Sequence, residues 1–435
     1  MFGYYLDLAL RSLKRNKALT VLMVLAIALG IGASMTTLTV LHVLSGDPVP
    51  GRSGELYYPQ IDPRDAINYV PGTSQPPDQV SWIDGMNLLQ AKRADHQALM
   101  TGGTVAIQPD TSTVEPFYED TRFTTADFFP MFGMPFRYGH PWNDADDDAR
   151  ARVVVLSGAL NDKLFGGKDS IGRTLRLAGA AFRIVGVLGD WRPNPLFYDL
   201  NRKSYNEEEG VYVPLSSSQD VGLEHDGSVD CWGNGGSGAR PAHNAPCAWL
   251  QFWVQLDNPA KAAAYKAFLV HYSEQQQALG RFVRPPNVQL RNVMQWLDYN
   301  MVVPDDVRLQ AWLAFGFLLV CLVNTVGLML AKFMRRAGEL GVRRALGASK
   351  RSLFAQLLVE SGVIGLTGGV GGLLLAFVGL WLVRQQPASY AALAHLDPAM
   401  LATTFLLAVG ASLLAGLLPA WRACQIAPAL QLKSN

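Results

Sequence analysis

Residues able to do chemistry are sparse in this sequence, and most of them argue against catalysis. Cys231 and Cys247 close the stretch CWGNGGSGARPAHNAPC, rich in Gly, Pro and Asn. Two thiols at that spacing offer a disulfide, or a metal site with His225 or His243; scattered histidines lack zinc-ligand spacing and favour the disulfide, with no metal. FGGKDS at 165–170 resembles the end of a phosphate-binding loop, but Asp162 stands where the first glycine belongs and Asp169 where the hydroxyl belongs. Two carboxylates there would repel a triphosphate. HPWNDADDD at 140–148 lacks the spacing and closing glutamate of a calcium loop and reads as a solvated acidic turn. The sequence contains no G-x-S-x-G, H-E-x-x-H or C-x-x-C. ELGVRRALGAS at 339–349 suggests work of another kind. Leu340, Val342 and Leu346 could face a partner or the membrane beside Arg343 and Arg344, Gly347 would end a short helix, and Ser349 could cap the next one. Such a mixed apolar and basic helix suits docking to another protein rather than a reaction.

The elements that must hold this stretch are mostly apolar. Hydrophobic residues make up 49% of the 435 and charged residues 17%, below the roughly 25% charged of soluble domains. A net charge of +1 hides a division: residues 46–307 hold 22 Lys+Arg and 32 Asp+Glu, and the remainder 15 and 4. Four segments, 18–44, 309–331, 353–383 and 400–418, are apolar enough to span a bilayer, for which about 20 apolar residues are needed. The first is too long for a cleaved signal peptide and no clear A-x-A site follows it, so it reads as a retained anchor. Arg11, Lys14, Arg15 and Lys17 precede it, and seven basic residues fill 332–352. Positive charge marks the cytoplasmic side. Both termini and the 332–352 loop are therefore expected inside, and 45–307 outside, where oxidising conditions favour the disulfide. The spans carry almost no charge. Asn324 and Glu360 are the main polar intruders, and Glu360 is expected either to reach the headgroups or to pair with a basic neighbour. In the third span Gly365 and Gly369, with Gly368 and Gly372, form two small-xxx-small pairs suited to close helix packing.

Residues 1–17 read as an amphipathic helix on the inner surface, with Phe2, Tyr5, Leu6, Leu10 and Leu13 at helical spacing. Within the polar segment, helices are expected at 80–93, 158–167 and 259–279. Strands are expected at 103–108, 153–157, 211–215 and 248–256, with a hairpin at 174–188. The fold class is therefore a membrane protein with four transmembrane α-helices and a large mixed α+β extracytoplasmic domain between spans 1 and 2.

ELGVRRALGASKRSLFAQLLVES, followed by a Gly-rich span, resembles the signature of MacB/FtsX-family ABC transporter permeases. The tail LLPAWRACQIAPALQLK (417–433) resembles that family's ending, and residues 123–139 and 153–188 resemble the MacB-type periplasmic domain. The chain departs from the pattern around 190–250, in its Cys-bounded insertion. The resemblance implies a permease of the bacterial inner membrane that is not itself catalytic and binds no cofactor. ATP and Mg would sit on a separate cytoplasmic ABC ATPase dimer. It implies a second permease copy, identical or paralogous, a periplasmic adaptor and outer-membrane channel, contact with membrane lipid, and no nucleic acid. Glu339, Leu340, Gly341, Val342, Arg343, Arg344, Leu346 and Gly347 would form the helix that couples to the ATPase, and 419–435 the cytoplasmic tail. The polar segment would be a porter-like lobe with a second lobe inserted at about 118–245. The implied work is mechanotransmission that drives efflux of a periplasmic substrate. Lipoprotein release, as in Lol-type permeases, and FtsX-like regulation of a periplasmic hydrolase are the alternatives.

Overall fold

The computed structural model of the chain describes residues 2–109, 115–202, 205, 209–233, 241–386 and 398–425. It divides into two compact units: Met1–Ser45 with Val303–Asn435, and Gly46–Val302.

Among its described residues the first unit contains helices and no strand. An N-terminal helix, Phe2–Arg15, leads into span 1, Lys17–Ser45. Span 2 is Asp305–Arg335, span 3 Lys350–Arg384 and span 4 Pro398–Gln425. All four are long and apolar enough to cross a membrane. Each runs past the apolar stretch expected from sequence, because a helix continues wherever backbone bonding is satisfied and not only where side chains are apolar. Span 4 passes through Pro419, and the rest of the expected tail, 426–435, lies outside the described residues. Trp312, Leu313, Val320, Val323, Leu374, Phe405 and Leu406 point outward, each more than half exposed. In water each such side chain would forgo about 1.5–3 kcal/mol of burial; against lipid tails that loss disappears.

The second unit is built on one continuous sheet. Its strands run in the order Gln289–Asn292, Leu56–Gln60, Cys247–Gln255, His96–Gln108, Phe117–Thr124, Val211–Pro214, Val153–Leu156, Ala180–Leu188, Phe136–Gly139. Both faces are covered. Leu99, Phe123, Val154, Leu156, Val211 and Phe252 enter one apolar cluster, and Met100, Val153, Val155, Tyr212 and Trp253 enter the other. Burial on both faces is why VVVL at 153–156 is an unbroken apolar run rather than an alternating one. The segment expected as an inserted lobe, about 118–245, shares this sheet with the rest of the unit through the Phe117–Thr124 and His96–Gln108 pairing.

Local signals explain the individual elements. Ser157 caps Gly158–Phe165 by accepting from the Leu160 amide, and Gly166 ends it at φ 61°. Asn258 caps Pro259–Ala278. In the 174–188 hairpin, Ala178 and Gly179 both have positive φ (47° and 85°), the twist that matches a tight antiparallel turn.

Candidate coupling site

The stretch between spans 2 and 3 folds as a short helix, Ala337–Ala345. Its end is built from backbone bonds: the Gly347 amide donates to the Arg344 carbonyl at 3.1 Å and the Ala348 amide to the Arg343 carbonyl at 3.0 Å. This double closure needs a left-handed residue, which Gly347 supplies at φ 99°. Ser349 then caps span 3, accepting from the Ser352 amide at 3.2 Å. The chain thus reverses within a few residues and presents the short helix as a distinct piece.

The helix has two faces. Arg336, Glu339, Leu340 and Arg343 share the inward one, at the i, i+3, i+4, i+7 spacing of a helical stripe. Leu340 is buried among Met329, Phe333, Leu353 and Leu357 of the spans' apolar cluster. The expectation that Leu340, Val342 and Leu346 face a partner or the membrane therefore gives way to a split. Leu340 turns inward, while Val342 (51% exposed) and Leu346 (83%) point outward. Gly341 lies between them, half-buried, and Gly347 is exposed. The arginines are also engaged within the chain. Arg343 bonds Glu339 at 2.9 Å and donates to the Gln356 Oε1 at 3.3 Å, and Arg344 donates to the Cys424 carbonyl at 3.4 Å.

Inward of the helix lies a buried charge cluster. Glu360 on span 3 is 1% exposed and Lys332 on span 2 is 0% exposed. Lys332 Nζ is 2.7 Å from Glu360 Oε1, Arg336 Nη1 is 3.0 Å from Glu360 Oε2, and the Ser12 hydroxyl donates to the same carboxylate. Arg336 also donates to Ser12 at 2.7 Å and approaches Glu339 at 3.4 Å. Of the two expectations for Glu360, the structure takes the second, pairing with basic neighbours. Ser12, Lys332, Arg336 and Gln356 escaped the sequence reading. A signal existed: Lys332 and Arg336 are four apart, so they share a face at the end of span 2.

Four glycines of span 3 face neighbouring helices. A Cβ on Gly368 or Gly372 would stand 2.7 or 2.9 Å from Ile27 or Ile31 of span 1, and one on Gly369 2.5 Å from Ala408 of span 4. A Cβ on Gly365 would collide with Ser412.

In the Gly46–Val302 unit Cys231 and Cys247 are joined as a disulfide across paired strands; residues 234–240 of the loop they close lie outside the described residues. His243 stacks on Trp82 at 3.9 Å and His225 on Trp249 at 4.6 Å, so both imidazoles serve in aromatic packing. Among the described residues no three His, Cys, Asp or Glu side chains gather as metal ligands would. The P-loop-like stretch follows a helix that ends at Gly166, with Asp162 bonded to Arg137 at 2.9 Å, and 144–148 is a short helix with an Asn143 capping box. Several of the unit's buried charges are paired. Arg122 bonds Asp199 at 2.7 Å and Glu209, and these carboxylates outweigh burial to hold the guanidinium above its ordinary pKa. Burial would raise Asp62, but bonds from Arg64 and Arg284 overcome it and hold its pKa below the ordinary value.

The chain is similar to known proteins across nearly its whole length. The model of the MacB-like periplasmic core domain matches residues 20–271, and that of the FtsX-like permease C-terminal matches 311–428. A pyoverdine export ATP-binding/permease protein, PvdT, of Pseudomonas entomophila is 24% identical over 85% of this chain and 51% of its own length. A macrolide export ATP-binding/permease protein, MacB, of Wolinella succinogenes is 23% identical over 99% of this chain and 60% of its own. Another, of Hyphomonas neptunium, is 38% identical over 68% of this chain and 41% of its own. This chain thus spans about half the length of such relatives. The periplasmic region of MacB from Actinobacillus actinomycetemcomitans aligns with a TM-score of 0.36 at 14% identity, covering 56% of this chain and 92% of that one. Since the two family models take in the α/β domain and the helices on either side of it, in the order the motifs follow along the sequence, the chain belongs to the MacB/FtsX family of ABC permeases.

Proposed function

We propose that this multi-pass inner-membrane protein is the permease of an ABC-type exporter. It passes the ATP-driven motion of an ABC ATPase through its spans to the 46–302 domain and so drives efflux of a periplasmic substrate. The observation that carries this reading is the short helix between spans 2 and 3. Leu346 is left 83% exposed on a reverse turn flanked by basic residues, with Val342 51% exposed beside it. An exposed apolar residue on a rigid tip is what a docking partner covers. The basic residues at 332–351 favour a cytoplasmic position for this tip, where ATP and Mg would be available to the partner. Away from the cluster around Glu360, the described residues of the four spans carry almost no charge between their ends, which favours motion over conduction as the work they do. The relatives' names, pyoverdine and macrolide export, support efflux as the outcome. An adaptor and an outer-membrane channel would carry the substrate onward, and a second permease copy would complete the assembly.

Replacing Leu346 and Val342 by Asp, in the full chain co-expressed with an ABC ATPase subunit, tests the reading. Co-purification of the ATPase is expected to fall at least tenfold, with the permease still folded. Undiminished binding would show that the partner docks elsewhere. If the wild-type assembly releases lipoproteins or activates a cell-wall hydrolase instead of exporting a small substrate, coupling stands and efflux does not.

A further inference from the structure

The exposed tip explains how a partner is held, but not how its movement reaches the spans. A short helix joined by two turns could rock on its linkers and lose the motion. The buried charge cluster removes that freedom. Glu360 lies on span 3 one helical turn beyond Gln356, so the two share a face. Arg336 reaches Glu360 at 3.0 Å from one end of the short helix, and Arg343 reaches Gln356 at 3.3 Å from the other. Between them Glu339 bonds both arginines, at 3.4 and 2.9 Å. The result is a closed ring, Glu360 to Arg336 to Glu339 to Arg343 to Gln356, that pins the helix at both ends against one face of span 3. Lys332 adds span 2 to the same carboxylate at 2.7 Å, and Ser12 adds the N-terminal helix.

We propose that Glu360 is a positioning residue that clamps the docking helix to span 3, so that helix and span move as one lever. This rests on the coupling reading above and names the part that carries it. The physical case is the cost of the arrangement. A carboxylate and an ammonium at 1% and 0% exposure each forgo water, at an effective penalty of several kcal/mol per ion. A well-packed apolar pair would hold the same helices together at no such penalty. What the charged groups add is a fixed set of partners for a short helix that presents few apolar side chains to span 3. The hydrogen-bonded members of the ring, Glu360, Arg336, Glu339, Arg343 and Gln356, have defined partners and geometry, and together they resist rotation of the short helix about its own axis.

The test uses the full chain in lipid nanodiscs. Glu360→Gln alone would strand a buried lysine and could unfold the bundle, so Glu360→Gln with Lys332→Met is the informative variant. The first readout is hydrogen exchange of the chain alone. Exchange across 337–345 is expected to rise at least tenfold, with the interiors of spans 2 and 3 unchanged. No rise at 337–345, or an equal rise throughout the spans, overturns the clamp, the second by reducing the pair to general stability. The second readout adds the ABC ATPase with ATP. The variant is expected to bind the ATPase as wild type does, through its intact Val342 and Leu346. The ATP-dependent change in exchange of the 46–302 domain should shrink at least fivefold. A full-sized change in the variant overturns the proposal. If the ATPase does not bind even the wild-type chain, the docking reading fails, and the first readout still decides whether Glu360 holds the helix.

Discussion

Asp147 accepts from the Ala126 amide at 2.7 Å and from the Trp142 indole at 3.1 Å, yet burial pushes its pKa up to about 7 from an ordinary 3.8. The sign follows from linkage. A carboxyl raised in the folded state gives full stability below pH 3.8, loses it as the pH climbs toward 7, and is level above. At about 1.4 kcal/mol per pH unit the whole loss is at most about 4 kcal/mol. Asp147→Asn should remove this slope but give up one of the two bonds, a cost of about 1 kcal/mol. The variant should therefore melt below wild type at about pH 3.5, cross it between about pH 4 and 5, and melt above it at about pH 8. Intrinsic fluorescence can follow this, because seven of the ten tryptophans lie in 46–302; parallel pH curves would remove Asp147 as the cause. The same scale shows what a sequence hides. Arg343 and Arg344 were legible as basic residues in a docking stretch, but nothing in their spacing told that Arg343 turns to Gln356. Nor could Leu340 be separated from Val342 and Leu346, since the inward direction of a helix is set by the span it packs on and not by its own residues.

Among the elements, legibility tracked locality. Gly158–Phe165 announces itself with a serine cap and closing glycines, and the 174–188 hairpin with alternation and a small-residue turn. Leu56–Gln60 and Gln289–Asn292 do not. LYYPQ contains a proline, QLRN is half-buried throughout, and each is a strand because the other lies beside it, more than two hundred residues away. Glycines of span 3 were legible as a packing stripe, but not which neighbour each meets. Their contacts give a graded prediction. Gly365→Ala and Gly368→Ala place a methyl group against Ser412 and Ile27, and overpacking of this kind costs about 1–3 kcal/mol. Gly316→Ala meets nothing within 4 Å and should leave stability unchanged or slightly raised. Thermal aggregation in detergent ranks the three variants. Equal midpoints would show that the stripe is not a packing surface.

At the scale of the molecule, two units carry two chemistries. One is a helical bundle whose outer face is apolar, the other an acidic α/β domain with its own core on both sides of a sheet. Composition made this division plain before any element was placed. Separate cores predict separate responses to reduction. The Cys231–Cys247 bridge closes a 16-residue separation, for which loop-closure entropy gives about 3 kcal/mol. Replacing both cysteines by serine should lower the unfolding midpoint reported by the 46–302 tryptophans and leave the melting of the helical bundle in place. A common shift of both transitions would show instead that the units melt together.

The glycine stripe also limits the kinds of motion span 3 can make. Rotating the helix by one residue would carry Leu366 or Val370, now on its open side, into seams shaped for bare backbone. Translation by one turn, about 6 Å at 1.5 Å per residue, is limited in the same way, because each seam holds two glycines and the shift would bring Ile364 or Leu373 onto a seat shaped for bare backbone. Span 3 is thus keyed to its neighbours in rotation and in register, and moves most readily together with them.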